Sequence, residues 1–184
     1  MIALVALAVA LTQREFRQPK VELPSVVAQD YRAYLSGNLP LTLLTADVKR
    51  MERFFVEQGV PFETRVFDLG MMSYGLLGGR THLLAGRSSA LFVYRGPNRQ
   101  ALICQMYRGG LSELPAPDER RENNGVTFLV YRKSGLTLVF WPEGPIVCVL
   151  VGEGDVEAIV QLAFAKAMRV TDAATSAEVA EVDR

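Results

Sequence analysis

Apolar and polar positions divide the chain into an apolar start, a region of helical spacing and a longer region of alternating spacing. Residues 1–11 are apolar without interruption, and polar residues 12–15 end the run. A helix of this length rises about 16 Å, whereas the hydrocarbon core of a bilayer is about 30 Å thick. The segment is therefore interpreted as a membrane anchor or the remnant of one. Two alternatives stay open: a signal peptide that lacks a preceding Lys or Arg, and a buried helix.

Segments of helical spacing follow a charged linker with two prolines, residues 12–24. Ser25 and Thr45 have side chains that cap helix N-termini, so each is predicted to begin one helix. Asp155 is the predicted cap of a third helix, and residues 171–184 are predicted to form a polar, flexible tail. The apolar stripes of the first two helices are predicted at Val27, Tyr31, Tyr34 or Leu35, Val48, Met51 and Phe55.

From Glu63 onward the spacing changes to the period of two that is typical of strands. Residues 63–69 are predicted as the first strand, and residues 109–125 as a long polar loop. Gly78 and Gly79, adjacent within one strand, indicate a bulge or the close approach of another backbone.

The predicted strands are joined mainly by hairpins, which give an antiparallel sheet. The sequence therefore predicts an α+β domain over residues 25–170. It has about six strands, two N-terminal helices and one C-terminal helix, and a short apolar anchor helix precedes it. Helices at both ends of the domain are expected to cover one face of the sheet.

Charge and composition exclude several classes of function. Lys plus Arg and Asp plus Glu both total 20, which excludes a nucleic-acid binder that works through bulk positive charge, and an acidic mimic. One histidine and two cysteines without a CxxC pattern form no recognisable metal site. No cofactor is predicted.

The two cysteines, Cys104 and Cys148, both lie in predicted strands. They can form a disulfide only if the strands are adjacent and the Cα atoms lie within about 7 Å. The other interpretation is two separate buried thiols.

Catalytic patterns are weak in this sequence. Residues 86–90 come near a nucleophile elbow, but Ala90 replaces its second glycine and the histidine lies upstream. An enzyme would require a polar pocket formed by Asp68, Arg80 and His82. We therefore predict that the chain is not an enzyme.

Four sequence segments follow one another in the order that is typical of a known protein family. A DL…G…L.GGR pattern over residues 67–80 precedes the strand 90–94, and a later hairpin over 135–152 precedes the helix 155–168. Together, over about residues 41–168, they resemble the extracytoplasmic domain of bacterial membrane-bound anti-sigma factors. The resemblance implies a helix–sheet domain outside the cytoplasmic membrane, tethered by one helix and without catalysis.

Anti-sigma factors also carry a cytoplasmic sigma-binding domain before the membrane helix. This sequence has only residues 1–11 at that place, so it is not expected to sequester a sigma factor unless a separate polypeptide supplies that domain. The leading hypothesis is a non-enzymatic accessory subunit on the extracytoplasmic (periplasmic) face of a larger membrane complex, for example a bioenergetic one. The alternative is a regulatory or sensor domain of an anti-sigma-factor-like system.

The expected partners are integral membrane protein subunits and membrane lipid, and not nucleic acid. Two indications disagree on the side of the membrane where the domain lies. The resemblance implies the extracytoplasmic side, whereas the basic residues after the apolar run indicate the cytoplasmic side by the positive-inside rule. Packing in the membrane or against other subunits is assigned to Ile2, Leu4, Val5 and Leu11. The membrane interface is assigned to Arg14, Phe16 and Arg17, and a partner contact to Leu111, Leu114, Asp118, Arg120 and Arg121.

Overall fold

Three helices and eight strands form in residues 22–168, the part of the chain that the computed structural model describes. The helices are α1 (Leu23–Leu35), α2 (Val48–Glu57) and α3 (residues 156–168). The strands are β1 (Leu43–Leu44), β2 (Gly75–Leu84), β3 (Arg87–Arg95), β4 (Ala101–Arg108), β5 (Glu119–Asn123), β6 (Val126–Lys133), β7 (Leu136–Glu143) and β8 (Ile146–Glu153).

These strands form one antiparallel sheet in the order β1-β2-β3-β4-β8-β7-β6-β5. Hairpins join the strands from β2 to β4 and from β5 to β8, and the connection after β4 crosses to the far edge so that β8 returns beside β4. The predicted α+β class with three helices and one antiparallel sheet is confirmed for the described residues. The sheet has eight strands there, where about six were predicted.

The predicted and observed strands differ at two kinds of place. Some strands lack an alternating apolar pattern, and one segment has the pattern but is not a strand. β1 has two residues, and β5 is a charged strand within the predicted loop 109–125. Residues 63–69 are not a strand, although Val66 and Leu69 are buried. These two side chains pack in the core from an irregular segment, whose one strand-like contact is an isolated bridge between Leu69 and Tyr74.

Helices cover both faces of the sheet, so the expectation of one covered face is wrong. Val27 and Tyr31 of α1 pack in the core of one face. Met51 and Phe55 of α2 pack in the core of the other face, together with Ile159 of α3. The central strands β3, β4 and β8 are buried almost throughout, which requires cover on both sides.

Side-chain caps begin two of the helices. Asp155 is confirmed as the cap of α3, since its Oδ2 accepts a hydrogen bond from the Ala158 backbone N–H at 3.2 Å. The cap of α2 is Asp47 and not Thr45, because Asp47 Oδ1 accepts from the Arg50 backbone N–H at 3.0 Å.

The first helix begins at Leu23, within the predicted linker and before the predicted cap Ser25. Pro24 lies in its first turn, where the missing N–H is tolerated. Linker residues 12–21, the anchor 1–11 and the tail 171–184 lie outside the described residues. So do Ile2, Leu4, Val5, Leu11, Arg14, Phe16 and Arg17. Within residues 22–168 no helix is long and apolar enough to span a membrane.

The paired glycines of β2 have both features that the sequence indicated. The register with β3 shifts between Leu76 and Gly78, which marks a bulge. A Cβ atom on Gly78 would lie 2.2 Å from the carbonyl oxygen of Leu43, and one on Gly79 would lie 2.8 Å from Met51 Sδ. The backbone of β1 therefore lies close to Gly78, and α2 packs close to Gly79.

Gly78→Ala is expected to lower the free energy of unfolding by about 1–3 kcal/mol, because the added methyl group overlaps the β1 backbone. Gly75→Ala is the matched control on the same strand, since its Cβ would meet nothing within 4 Å. Its expected effect is below about 0.5 kcal/mol. Chemical denaturation of both variants measures the difference, and equal losses would contradict the close contact between β1 and β2.

Candidate functional site

The three residues from which an enzymatic pocket would have to form do not come together. Arg80 and His82 lie on the sheet face that α1 covers. Asp68 follows Phe67, whose carbonyl oxygen accepts a hydrogen bond from the Tyr94 hydroxyl at 2.8 Å in the core of the opposite face. The sheet therefore separates Asp68 from His82.

His82 belongs instead to a polar cluster beneath α1. Its Nε2 lies 2.9 Å from Asp30 Oδ2, and the Gln105 amide donates to the same oxygen at 3.1 Å. His82 Nδ1, Gln105 Oε1 and the Ser89 hydroxyl are buried and have no hydrogen-bond partner in the described part of the chain. Asp30 thus ties α1 to both β2 and β4.

Asp30 was missed by the sequence reasoning, although one signal was present. It lies three residues after Val27 and next to Tyr31, so it falls on the buried face of the helix. An acidic residue on an apolar helix face requires a buried polar partner. The identity of that partner, however, depends on which strand α1 covers.

A second polar cluster lies on the opposite face, among β7, β8 and α3. Glu143 Oε1 accepts from Trp141 Nε1 at 2.9 Å and from Lys166 Nζ at 3.2 Å. The Lys166 side chain is 0% exposed and that of Glu143 is 6% exposed. Lys166 Nζ also lies 3.7 Å from Cys148 Sγ and 5.1 Å from the centroid of the Trp141 ring. The ammonium group is thus enclosed by a carboxylate, a thiol and an aromatic face.

Glu143 supplies the charge that compensates this buried lysine. Burial acts to lower the pKa of Lys166, but negative charge close to its ammonium group outweighs burial, and the pKa is raised above its ordinary value. Burial also raises the pKa of Cys104 to about 12 and that of Cys148 well above the ordinary value, so both thiols are neutral at pH 7. The carboxylate is therefore the effective counter-ion.

The two cysteines are separate buried thiols, one of the two arrangements that the sequence left open. They lie on adjacent strands, but Cys104 is paired in register with Leu150 and Cys148 with Met106. Diagonal neighbours of this kind have Cα atoms about 7–8 Å apart. A disulfide would therefore require the backbone to move.

A cleft of about 540 Å³ lies beside this second cluster, between residues 62–65, the β7–β8 turn and α3. Phe62, Val126 and Ile146 contribute apolar surface, and Glu143 is the residue that joins the cleft to the buried lysine. Glu143 Oε2 is buried and has no hydrogen-bond partner within residues 22–168. An acceptor left unpaired in this way costs about 1–3 kcal/mol.

The residues predicted for a partner contact are largely engaged within the chain. Leu111 and Leu114 pack against the core under α1. Arg121 binds Glu119 at 2.7 Å and Glu157 of α3 at 2.6 Å. In addition, Asp118 accepts from the Arg132 backbone N–H, and Arg120 pairs with Glu122 at 3.4 Å.

The two edges of the sheet differ in chemistry. β5 forms one edge and carries Glu119, Arg120, Arg121 and Glu122, and charges of this kind discourage pairing with another strand. At the other edge, β1 pairs only with Gly78 and Gly79 of β2. The segment from Thr81 to Leu84 is thus left without a strand on its outer side in the described residues, and we call it the open edge.

No family model, curated protein or solved structure matches this chain. The resemblance to anti-sigma-factor domains therefore stays a prediction. The chemistry of the chain has to be inferred from its geometry, which offers three features: two buried polar clusters, the cleft beside Glu143, and the open edge.

Proposed function

We propose that the chain is a non-enzymatic accessory subunit of a membrane protein complex, in which the α+β domain docks a partner protein at the extracytoplasmic face. The apolar segment 1–11 supports attachment to the membrane or to other membrane subunits. Among the described residues, the open edge is the observation that carries the docking proposal. The occupant would be an extended strand of the partner that adds to the sheet beside β2.

The backbone of the open edge has the geometry that strand addition requires. The Gly79 carbonyl accepts from the Thr42 N–H at 3.0 Å, so Gly79 directs its backbone polar groups outward. Because this direction alternates along a strand, Thr81 and Leu83 also direct their N–H and C=O groups outward. The Thr81 carbonyl accepts only a long bond of 3.4 Å, from Arg80 Nε.

The side chains of the open edge also favour docking. Leu83 is 70% exposed, and neither it nor Thr81 is charged. Unprotected edges of this kind pair readily with other strands, which is why soluble domains commonly block them with charges. The chain blocks the β5 edge and leaves this one open, a difference that supports a partner at β2.

Leu83→Lys is expected to reduce incorporation of the chain into its native complex at least tenfold, because a charge at the edge opposes strand addition. Native membranes are solubilised in mild detergent, and mass spectrometry identifies the proteins that co-migrate with wild type and variant. Leu35→Lys is the matched control, since Leu35 is an exposed leucine at the end of α1, away from the edge.

Migration of the wild type as a free small protein would overturn the proposal. Co-migration with a regulatory partner encoded beside a sigma factor would favour the sensor alternative, which the sequence resemblance supports. If both lysine variants were incorporated like the wild type, the accessory role would stand and the open edge would be excluded as the docking surface.

A further inference from the structure

Another cleft, of about 350 Å³, lies at the C-terminal end of α1. It is bordered by the end of α1, the segment that leads to β1, and the β3–β4 turn. Tyr34, Leu39 and Leu77 give it a mainly apolar wall, and Arg95 and Arg99 line it from the side of the turn. Its volume is within the usual range for ligand pockets, which combine an apolar wall with a few polar groups that orient the ligand.

The two arginines of this cleft are accessible and have no partner in the described part of the chain. Both residues are exposed, and neither side chain forms an ion pair or a hydrogen bond within residues 22–168. Arg95 comes two residues after Val93, which packs in the core under α1, so its side chain lies on that face of the sheet. Guanidinium groups bind carboxylates and phosphates through paired N–H donors. Two such groups are therefore available to an anion.

The backbone at Arg99 does not account for an arginine at this position. Its φ is 61°, in the left-handed region that glycine and asparagine adopt at lower cost. Non-glycine residues held in this region are found preferentially at functional sites such as ligand clamps. The arginine is thus favoured by its side chain and not by the turn.

The other charges near the cleft leave the two arginines dominant. None of the described residues that line it is acidic. Gln100, which also lines it, is engaged by the Tyr74 hydroxyl at 3.3 Å and the Asn98 backbone N–H at 2.9 Å. Glu153 ends β8, two strands from Arg95, which is a separation of about 10 Å. Salt screens exposed charges over that distance.

The end of α1 is the remaining source of negative potential, because the last carbonyl groups of a helix carry partial negative charge. The chain itself satisfies these groups. The Ala33 carbonyl accepts from the Leu39 N–H at 3.0 Å, and the Tyr34 carbonyl accepts from the Gly37 N–H at 3.0 Å. Two full positive charges therefore outweigh the partial charge of the helix end.

We propose that this cleft binds a small organic anion, a carboxylate or a phosphate monoester on an apolar body. Arg95 and Arg99 hold the charged group, and the apolar body packs against Leu39 and Leu77. The inference goes beyond the proposed docking function and does not rest on it, since no residue of the open edge lines the cleft.

Calorimetric titration of the purified full chain tests the two parts of the ligand. The probes are hexanoate, hexyl phosphate, hexanol and hexylammonium, which share one chain and differ in the head group, and acetate, which lacks the chain. The expected result is saturable binding of hexanoate and hexyl phosphate, at least tenfold tighter than that of the other three. Equal affinity for hexanol or acetate, or no saturable binding of either hexyl anion, would overturn the proposal.

A pair of double variants locates the binding. Arg95→Gln with Arg99→Gln is expected to weaken hexanoate at least tenfold, while far-UV circular dichroism stays unchanged. Arg50→Gln with Arg53→Gln is the matched control, because it removes the same charge from exposed positions of α2, on the other face of the sheet. The control should bind like the wild type. Unaltered binding in the folded Arg95/Arg99 variant would overturn the proposal.

A dissolved anion and the headgroup of an anionic lipid offer the same chemistry, and sedimentation with vesicles distinguishes these sources. Loss of binding to phosphatidylglycerol vesicles in the Arg95/Arg99 variant, but not in the Arg50/Arg53 variant, would identify a lipid headgroup as the ligand. Hexanoate binding with equal vesicle binding of the two variants would identify a dissolved anion. Equal vesicle binding without any hexanoate binding would overturn the site altogether.

Discussion

Lys166→Met is expected to lower the free energy of unfolding by about 3–5 kcal/mol, the range found when one partner of a buried ion pair is removed. The physical reason is the Glu143 carboxyl group, which is 6% exposed and would lose its counter-ion, with only the Trp141 N–H left as a strong donor. Methionine has nearly the length of the lysine stem, so the packing of α3 on the sheet is preserved. Urea denaturation at pH 7 measures the loss.

The double variant with Glu143→Leu separates charge from packing. Replacing both members of a buried pair with apolar residues removes the uncompensated charge, so the double variant should recover most of the stability lost in Lys166→Met. Lys49→Met is the matched control, because Lys49 pairs with Glu52 at 3.0 Å but is 80% exposed. Its effect should stay below about 1 kcal/mol. If Lys166→Met also lost less than about 1 kcal/mol, this would contradict a buried charged pair between Lys166 and Glu143.

Asp30→Ala is expected to lower the free energy of unfolding by about 2–4 kcal/mol, because two part-buried hydrogen bonds lose their acceptor. These bonds join Asp30 Oδ2 to His82 Nε2 at 2.9 Å and to the Gln105 amide at 3.1 Å. The loss should be accompanied by weaker protection of α1 amides in hydrogen exchange, since Asp30 links this helix to β2 and β4.

Gln29→Ala tests whether the effect belongs to the polar cluster and not to the helix as a whole. Gln29 is the exposed neighbour of Asp30 on α1, and its replacement should change stability by less than about 0.5 kcal/mol. If both alanine variants lost equal stability, the cluster would have no role in fixing α1 to the sheet.

Local patterns in the sequence were sufficient where a residue's role depends on its near neighbours. Asp155 was predicted as a cap from the apolar stripe that follows it, and its carboxylate accepts from Ala158, three residues later. The bulge at Gly78 was likewise indicated by two adjacent glycines within one strand. Local patterns failed at β5, because an exposed edge strand has no apolar face to show in its sequence.

The candidate sites depended on contacts between distant segments. His82 and Asp30 are 52 residues apart, and Lys166 is 23 residues from Glu143. The sequence reasoning did not pair His82 with Asp30, and it did not consider the Glu143–Lys166 pair at all. No periodicity relates such positions, since they meet only after β8 has returned beside β4 and the helices have packed on opposite faces.

The sequence by itself therefore determined the α+β class, the apolar start, the neutral overall charge and most strands of the sheet. Each of these follows from composition or from spacing over a few residues, which sets the local backbone preference. Only the tertiary structure decided the strand order, the two covered faces, the open edge of β2 and the partners of Asp30 and Glu143. These depend on which distant segments pack together, because the energetic cost of a buried charge or an unpaired backbone group is set by the groups that pack against it.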